Sequence, residues 1–159
     1  MNHKCFLLPF IIFLGFSLPI SIIDIKTRRI PDILSVSCFF LIFVIRLYHS
    51  PETVPLFLAA SLFAFALFFC IAFGTRGLGF GDVKFAAVIG LVCGFPGILA
   101  ALLTASVLAL LAALFLSLLR RKRDAIPFAP FLSAGTFIAV PFLYSCAGIL
   151  PGQVFLSLF

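Results

Sequence analysis

Two aspartates stand where a mostly apolar chain has least reason to carry charge. Asp82 follows three glycines in Arg76-Gly77-Leu78-Gly79-Phe80-Gly81-Asp82-Val83-Lys84, and residues 85–95 after Lys84 are uncharged. Asp24 lies at the matching place, where the first apolar run meets a basic turn. A charge at a bilayer centre costs roughly 2.5–3.5 kcal/mol on insertion scales and less near the interface, so such a residue is expected to have a use. Two carboxyl groups sharing one site suit peptide hydrolysis: the ionised one deprotonates a water and the protonated one polarises the scissile carbonyl. Like charges a few Å apart do not both ionise easily, so one of the pair keeps its proton. The glycines let a substrate backbone approach Asp82 closely. Asp24 and Asp82 are therefore the candidate catalytic pair.

Other uses of the same residues stand beside this one. Asp24 is one helical turn before Arg28, the spacing of an interfacial ion pair. Asp82 suits an N-cap, with Lys84 on lipid phosphates. Intramembrane carboxylates also serve ion or proton pathways, so a small transporter is a rival reading, and a non-catalytic membrane subunit of an assembly apparatus is another. Asp32 reads as capping or favouring the N-terminus of a helix restarting after Pro31, which fixes its own φ and turns Ile30 away from helical geometry. The five cysteines are scattered singly with no CxxC pair, which indicates neither zinc nor a redox pair. No metal or cofactor is expected.

The elements that must hold the pair follow from composition. The 159 residues are 64% hydrophobic and 10% charged, more apolar surface than a soluble domain of this length can bury. One all-α membrane domain over residues 1–159 is expected. Its six spans fall near residues 5–23, 33–48, 53–73, 82–95, 98–119 and 131–150, the fourth being short. A removable signal peptide is the rival for the first. The net charge of +6 raises nucleic acid as a partner, but the basic residues cluster between apolar runs, so topology explains them and nucleic acid is not expected. Lys26, Arg28, Arg29, Arg76, Lys84 and Arg120 to Arg123 fall on one side and only Lys4 and Arg46 on the other. By the positive-inside rule the first side is cytoplasmic and both termini are outside. Asp24, Asp32, Asp82 and Asp124 share the cytoplasmic face, and Arg46 near the far end of its span is expected to snorkel.

Three stretches together resemble the signatures of the type IV prepilin peptidases, relatives of the GxGD membrane aspartyl proteases: Asp24 to Asp32 ending in Ile-Pro-Asp, Gly79-Phe80-Gly81-Asp82-Val83-Lys84, and Ile126-Pro127-Phe128-Ala129-Pro130-Phe131. They occur in the family's order and between the expected spans. The resemblance implies a multi-pass endopeptidase of the bacterial inner membrane that removes the short basic leader of prepilins and pseudopilins at the cytoplasmic face. Carried over by position, Asp24 and Asp82 are catalytic. Pro31, Asp32, Gly79, Gly81, Lys84, Pro127 and Pro130 fall on motif positions expected to support the site or face the substrate. Longer members carry a cytoplasmic insertion with paired CxxC motifs and also methylate the new N-terminus. Neither the insertion nor the cysteine pairs occur in this sequence, so cleavage without methyl transfer is expected.

Overall fold

The computed structural model of the chain describes residues 3–27, 30–75, 79–118 and 128–147. They form α1 (His3–Thr27), α2 (Asp32–His49), a short 3-10 turn (Pro51–Thr53), α3 (Val54–Thr75), α4 (Phe80–Leu118) and α5 (Ala129–Ala147). Four helical stretches are long and apolar enough to cross a membrane: Leu7–Thr27, Asp32–His49, Pro51–Gly74 and Gly97–Leu118. The chain is an all-helical, multi-pass membrane protein.

Six apolar segments appear in the expected order, with two differences of extent. The first helix does not stop before Asp24 but runs through it to Thr27, despite Pro9 and Pro19 inside it. Asp24 therefore rides on the last turn of a helix instead of opening a loop. The fourth and fifth segments are one assigned helix broken at Gly94 (φ 61, ψ −171) and Phe95 (φ −87, ψ 141). The leading part, 80–93, rises only about 21 Å, short of a hydrocarbon core of roughly 30 Å. It is the centre of the bundle, with Val83 and every residue from Phe85 to Cys93 buried. The tail beyond Ala147 and Pro127 lie outside the described residues.

Around that central segment the other helices each turn one stripe inward. On α1 the stripe is Phe13, Ser17, Ile20 and Asp24; on α2 it is Ser35, Cys38, Ile42 and Arg46. Both follow the three-and-four spacing of a helix face. Their outer faces are apolar too, as a lipid-facing surface requires: Ile11, Leu18, Ile22, Phe40 and Val44 are all more than half exposed. Close packing uses small residues. A Cβ on Gly90 would stand 2.6 Å from the Ser61 Cα on α3, and one on Gly135 would stand 2.7 Å from the Ala101 carbonyl oxygen. Lipid tails supply no hydrophobic drive between helices, so such backbone approach carries much of the association.

Arg46 corrects its expected role. It does not snorkel; it is 2% exposed. Its Nε donates to the Leu91 carbonyl at 2.8 Å and its Nη2 to the Val92 carbonyl at 2.7 Å. Those carbonyls lose their helical partners where α4 breaks at Gly94. The guanidinium also lies 3.3 Å above the Phe57 ring centroid, a cation–π contact. Gly94 packs on the same ring, where a Cβ would come within 2.7 Å. Arg46 thus caps the far end of the helix whose near end carries Asp82.

Candidate active site

The C-terminal end of α1 and the N-terminal ends of α2, α4 and α5 converge at one end of the bundle. Between the first three lies an open cavity of about 680 Å³ whose walls include Asp24, Thr27, Pro31, Asp32, Gly79, Gly81 and Asp82. Asp24, 5% exposed, reaches it because its place on the inward stripe of α1 leaves it no lipid-facing alternative. Its Oδ2 accepts a hydrogen bond from the Ala129 N–H at 3.1 Å. Ala129 is the first residue of α5, so its N–H has no partner within its own helix. The third motif thus meets the first: a helix N-terminus, with its partial positive charge, sits on the Asp24 carboxyl group.

Asp82 is held differently. Gly79 precedes the first residue of α4, and a hydrogen bond from its backbone reaches the Asp82 carboxylate. A side chain in the first turn reaching back to the N-cap amide is the acidic half of a capping box. Oδ2 faces Gly79, where a Cβ would stand 3.5 Å away, whereas Oδ1 is buried with no hydrogen-bond partner. Burial first, and the Asp24 charge second, push the Asp82 carboxyl up to about 6, against a smaller opposing pull from the Gly79 bond. Asp82 lies outside the four spanning stretches. The two groups feel each other's charge, the condition for sharing a proton.

The other expected site residues fall into place unevenly. Gly81 is tight: a Cβ there would come 2.7 Å from the Ile30 Cβ, so α4 starts flush against the loop after α1. Asp32 is not a cap. The N-cap of α2 is Pro31, without a side-chain bond, and Asp32 pairs with Lys84 at 2.7 Å. Lys84 accordingly has a protein partner, Asp32. Pro130 occupies the first turn of α5, where its missing N–H costs nothing. Thr27, Ala129, Ser21 and Ser133 were not singled out by the sequence. Their helical spacing from Asp24 and from the third motif was the available signal. No group of three or more metal-ligating side chains occurs among the described residues.

Fold and cavity together define a polytopic helical membrane protein with three carboxyl groups at one opening, Asp24 buried, Asp82 partly buried, and Asp32 exposed and paired with Lys84. The sequence model of the type IV leader peptidase family matches residues 11–114, a stretch that includes both aspartates and most of the bundle. The chain belongs to the type IV leader peptidase family. It is 28% identical over 135 residues to a prepilin leader peptidase/N-methyltransferase of Escherichia coli (strain K12), covering 80% of this chain and 60% of that protein. It is 26% identical over 143 residues to a protein of the same description from Burkholderia pseudomallei (strain 1026b), covering 82% of this chain and 46% of the relative. The chain spans about half the length of the curated relatives it matches. No solved structure matches it.

Proposed function

We propose that this chain is an aspartic endopeptidase that removes the leader from prepilin or pseudopilin precursors, with Asp24 and Asp82 as the reacting pair. The observation that carries the reading is that two acids 58 positions apart line one cavity, where one raises the other's proton affinity. Asp82, whose carboxyl is pushed up to about 6, is the protonated member, which leaves Asp24 as the ionised one; it takes a proton from a water held between the carboxyl groups. Asp82 keeps the shared proton and gives it to the scissile carbonyl oxygen as the water oxygen bonds to the carbon. The tetrahedral intermediate then collapses. The C–N bond breaks, the amine leaves with a proton from Asp24, and Asp82 recovers its own from the intermediate's hydroxyl. Gly79, Gly81 and Pro31 shape the wall beside the scissile bond, and the Asp32–Lys84 pair borders it.

The proposed setting is the bacterial inner membrane with the cavity facing the cytoplasm. Lys26 in the last turn of α1 and Lys84 beside Asp32 lie at the cavity end, which favours that orientation. Cleavage without methyl transfer is part of the proposal, because the sequence contains no CxxC pair. Co-expression with a prepilin-type precursor tests the reading. Asp24→Asn and Asp82→Asn are each expected to abolish leader removal while the protein still inserts. Processing that survives both changes sinks it.

A further inference from the structure

Asp24 hangs from α1, yet the group that holds it belongs to α5. One turn further along both helices a second polar link repeats the tie. Ser21 Oγ and Ser133 Oγ are 3.1 Å apart, and Ser133 Oγ donates to the Ala129 carbonyl at 3.0 Å. A hydroxyl has a single proton, so Ser133, having committed its own to Ala129, accepts from Ser21. The chain of donors runs from α1 to the residue whose N–H grips Asp24. Ser21 is three residues before Asp24 and Ser133 four after Ala129, so each serine shares a helix face with the residue it supports.

Beside this link, Phe137 meets Phe10 at 5.7 Å and Phe13 at 6.1 Å between ring centroids; ring pairs are favourable over a range of a few Å in centroid distance, so they constrain a small slide less tightly than a hydrogen bond does. Asp82 needs no such brace, because its donor, Gly79, directly precedes its own helix. Asp24 depends on a donor from another helix, which is useful only while that helix keeps its place.

We propose that Ser21 and Ser133 are positioning residues for Asp24, holding α5 on α1 at the register that keeps the Ala129 N–H on the Asp24 carboxyl group. The inference rests on Asp24 being one of the reacting pair. Neither serine touches the scissile bond.

The test uses the full chain in detergent with a prepilin-type precursor, comparing Ser21→Ala, Ser133→Ala, the double variant and Ser21→Thr. The net worth of one hydrogen bond corresponds to a fall in kcat of about 3- to 10-fold for each alanine variant, with KM unchanged. The double variant is expected to be no worse than the poorer single, since both cut one link, and Ser21→Thr, which keeps the hydroxyl, to retain wild-type kcat within about twofold. Carbodiimide modification of Asp24, read by peptide mass spectrometry, is expected to quicken in the alanine variants and not in Ser21→Thr. An unchanged kcat in both single variants overturns the proposal. So does a change confined to KM, or a double variant whose loss equals the product of the singles. If no preparation cleaves, wild type included, the peptidase reading fails instead. The modification rates then decide the positioning role, and equal rates in all variants overturn it.

Discussion

Asp24 and Asp82 are the same residue type with opposite surroundings, one gripped by another helix and the other left with a bare oxygen. That asymmetry has a consequence for pH. The Asp82 carboxyl sits at about 6 in the folded protein, above its ordinary 3.8, so folding favours its protonated form. Its cost to stability is absent below the ordinary value, grows as pH rises from there, and is complete above about 6. Asp82→Asn removes a charge but keeps an acceptor for Gly79. This variant is expected to unfold at a higher temperature than wild type at pH 8, by on the order of 1–3 kcal/mol, with the gap closing toward pH 4. A gap independent of pH removes the argument. Cleavage by the wild type is expected to fall as pH rises through the same region, where the shared proton is lost. The two motif glycines are separable as well. Gly81→Ala drives a methyl into Ile30, at a cost of about 1–3 kcal/mol and most of the activity, whereas Gly79→Ala meets only ordinary contact and is expected to be the milder change. Equal losses in cleavage and thermal stability would contradict that geometry.

At the scale of elements, the broken α4 sets where Asp82 stands. Its leading segment is pinned at both ends, by Gly81 against Ile30 at the start and by Arg46 on the Leu91 and Val92 carbonyls at the finish. Gly94 adopts a backbone conformation essentially reserved to glycine, which frees those carbonyls from their helix and makes Arg46 necessary. Arg46→Ala leaves two buried acceptors and a void beside Phe57, and a loss of about 3 kcal/mol or more is expected in thermal unfolding in detergent. Arg46→Lys keeps the charge but not the fork that spans two carbonyls, and is expected to recover less than half of that loss. Full recovery by lysine would show that charge alone matters there. The Asp32–Lys84 pair is the opposite case. Its carboxyl side chain is 63% exposed, and exposed pairs contribute little, so Asp32→Ala is expected to change stability by less than about 1 kcal/mol.

For the whole molecule, the site is assembled where four helix ends meet, so its orientation in the bilayer decides which compartment supplies the substrate. With the cavity end cytoplasmic, a cysteine introduced at Lys26 is expected to react with an impermeant maleimide only after the membrane is opened, and one at Ser50 in intact cells. The reverse pattern would place the cavity outside and remove cytoplasmic leader cleavage from the proposal. Background labelling is controlled by the unsubstituted chain, in which Cys38 and Cys93 are buried and Cys70 is exposed.

The helical class, the order of the apolar segments and the two acids were legible in the residues alone, because span length and the cost of an intramembrane charge are local sums over neighbouring positions. The restart of α2 after Pro31 was legible for the same reason, since proline acts on its own φ and on the residue before it; the turn expected up to Gly81 was not, because α3 runs on to Thr75 and α4 already starts at Phe80. Partner choice was not legible. That Arg46 turns inward to carbonyls, that Asp32 takes Lys84, and that Asp24 is gripped by Ala129 beside a Ser21–Ser133 link all depend on which helix faces meet, and on where α4 breaks. α2 alone among these helices is clearly amphipathic; hydropathy is nearly uniform around α1, α3, α4 and α5, so no periodic signal announces their facing side. Only the packed bundle, through its close glycine contacts and its need to satisfy every buried polar group, selects it.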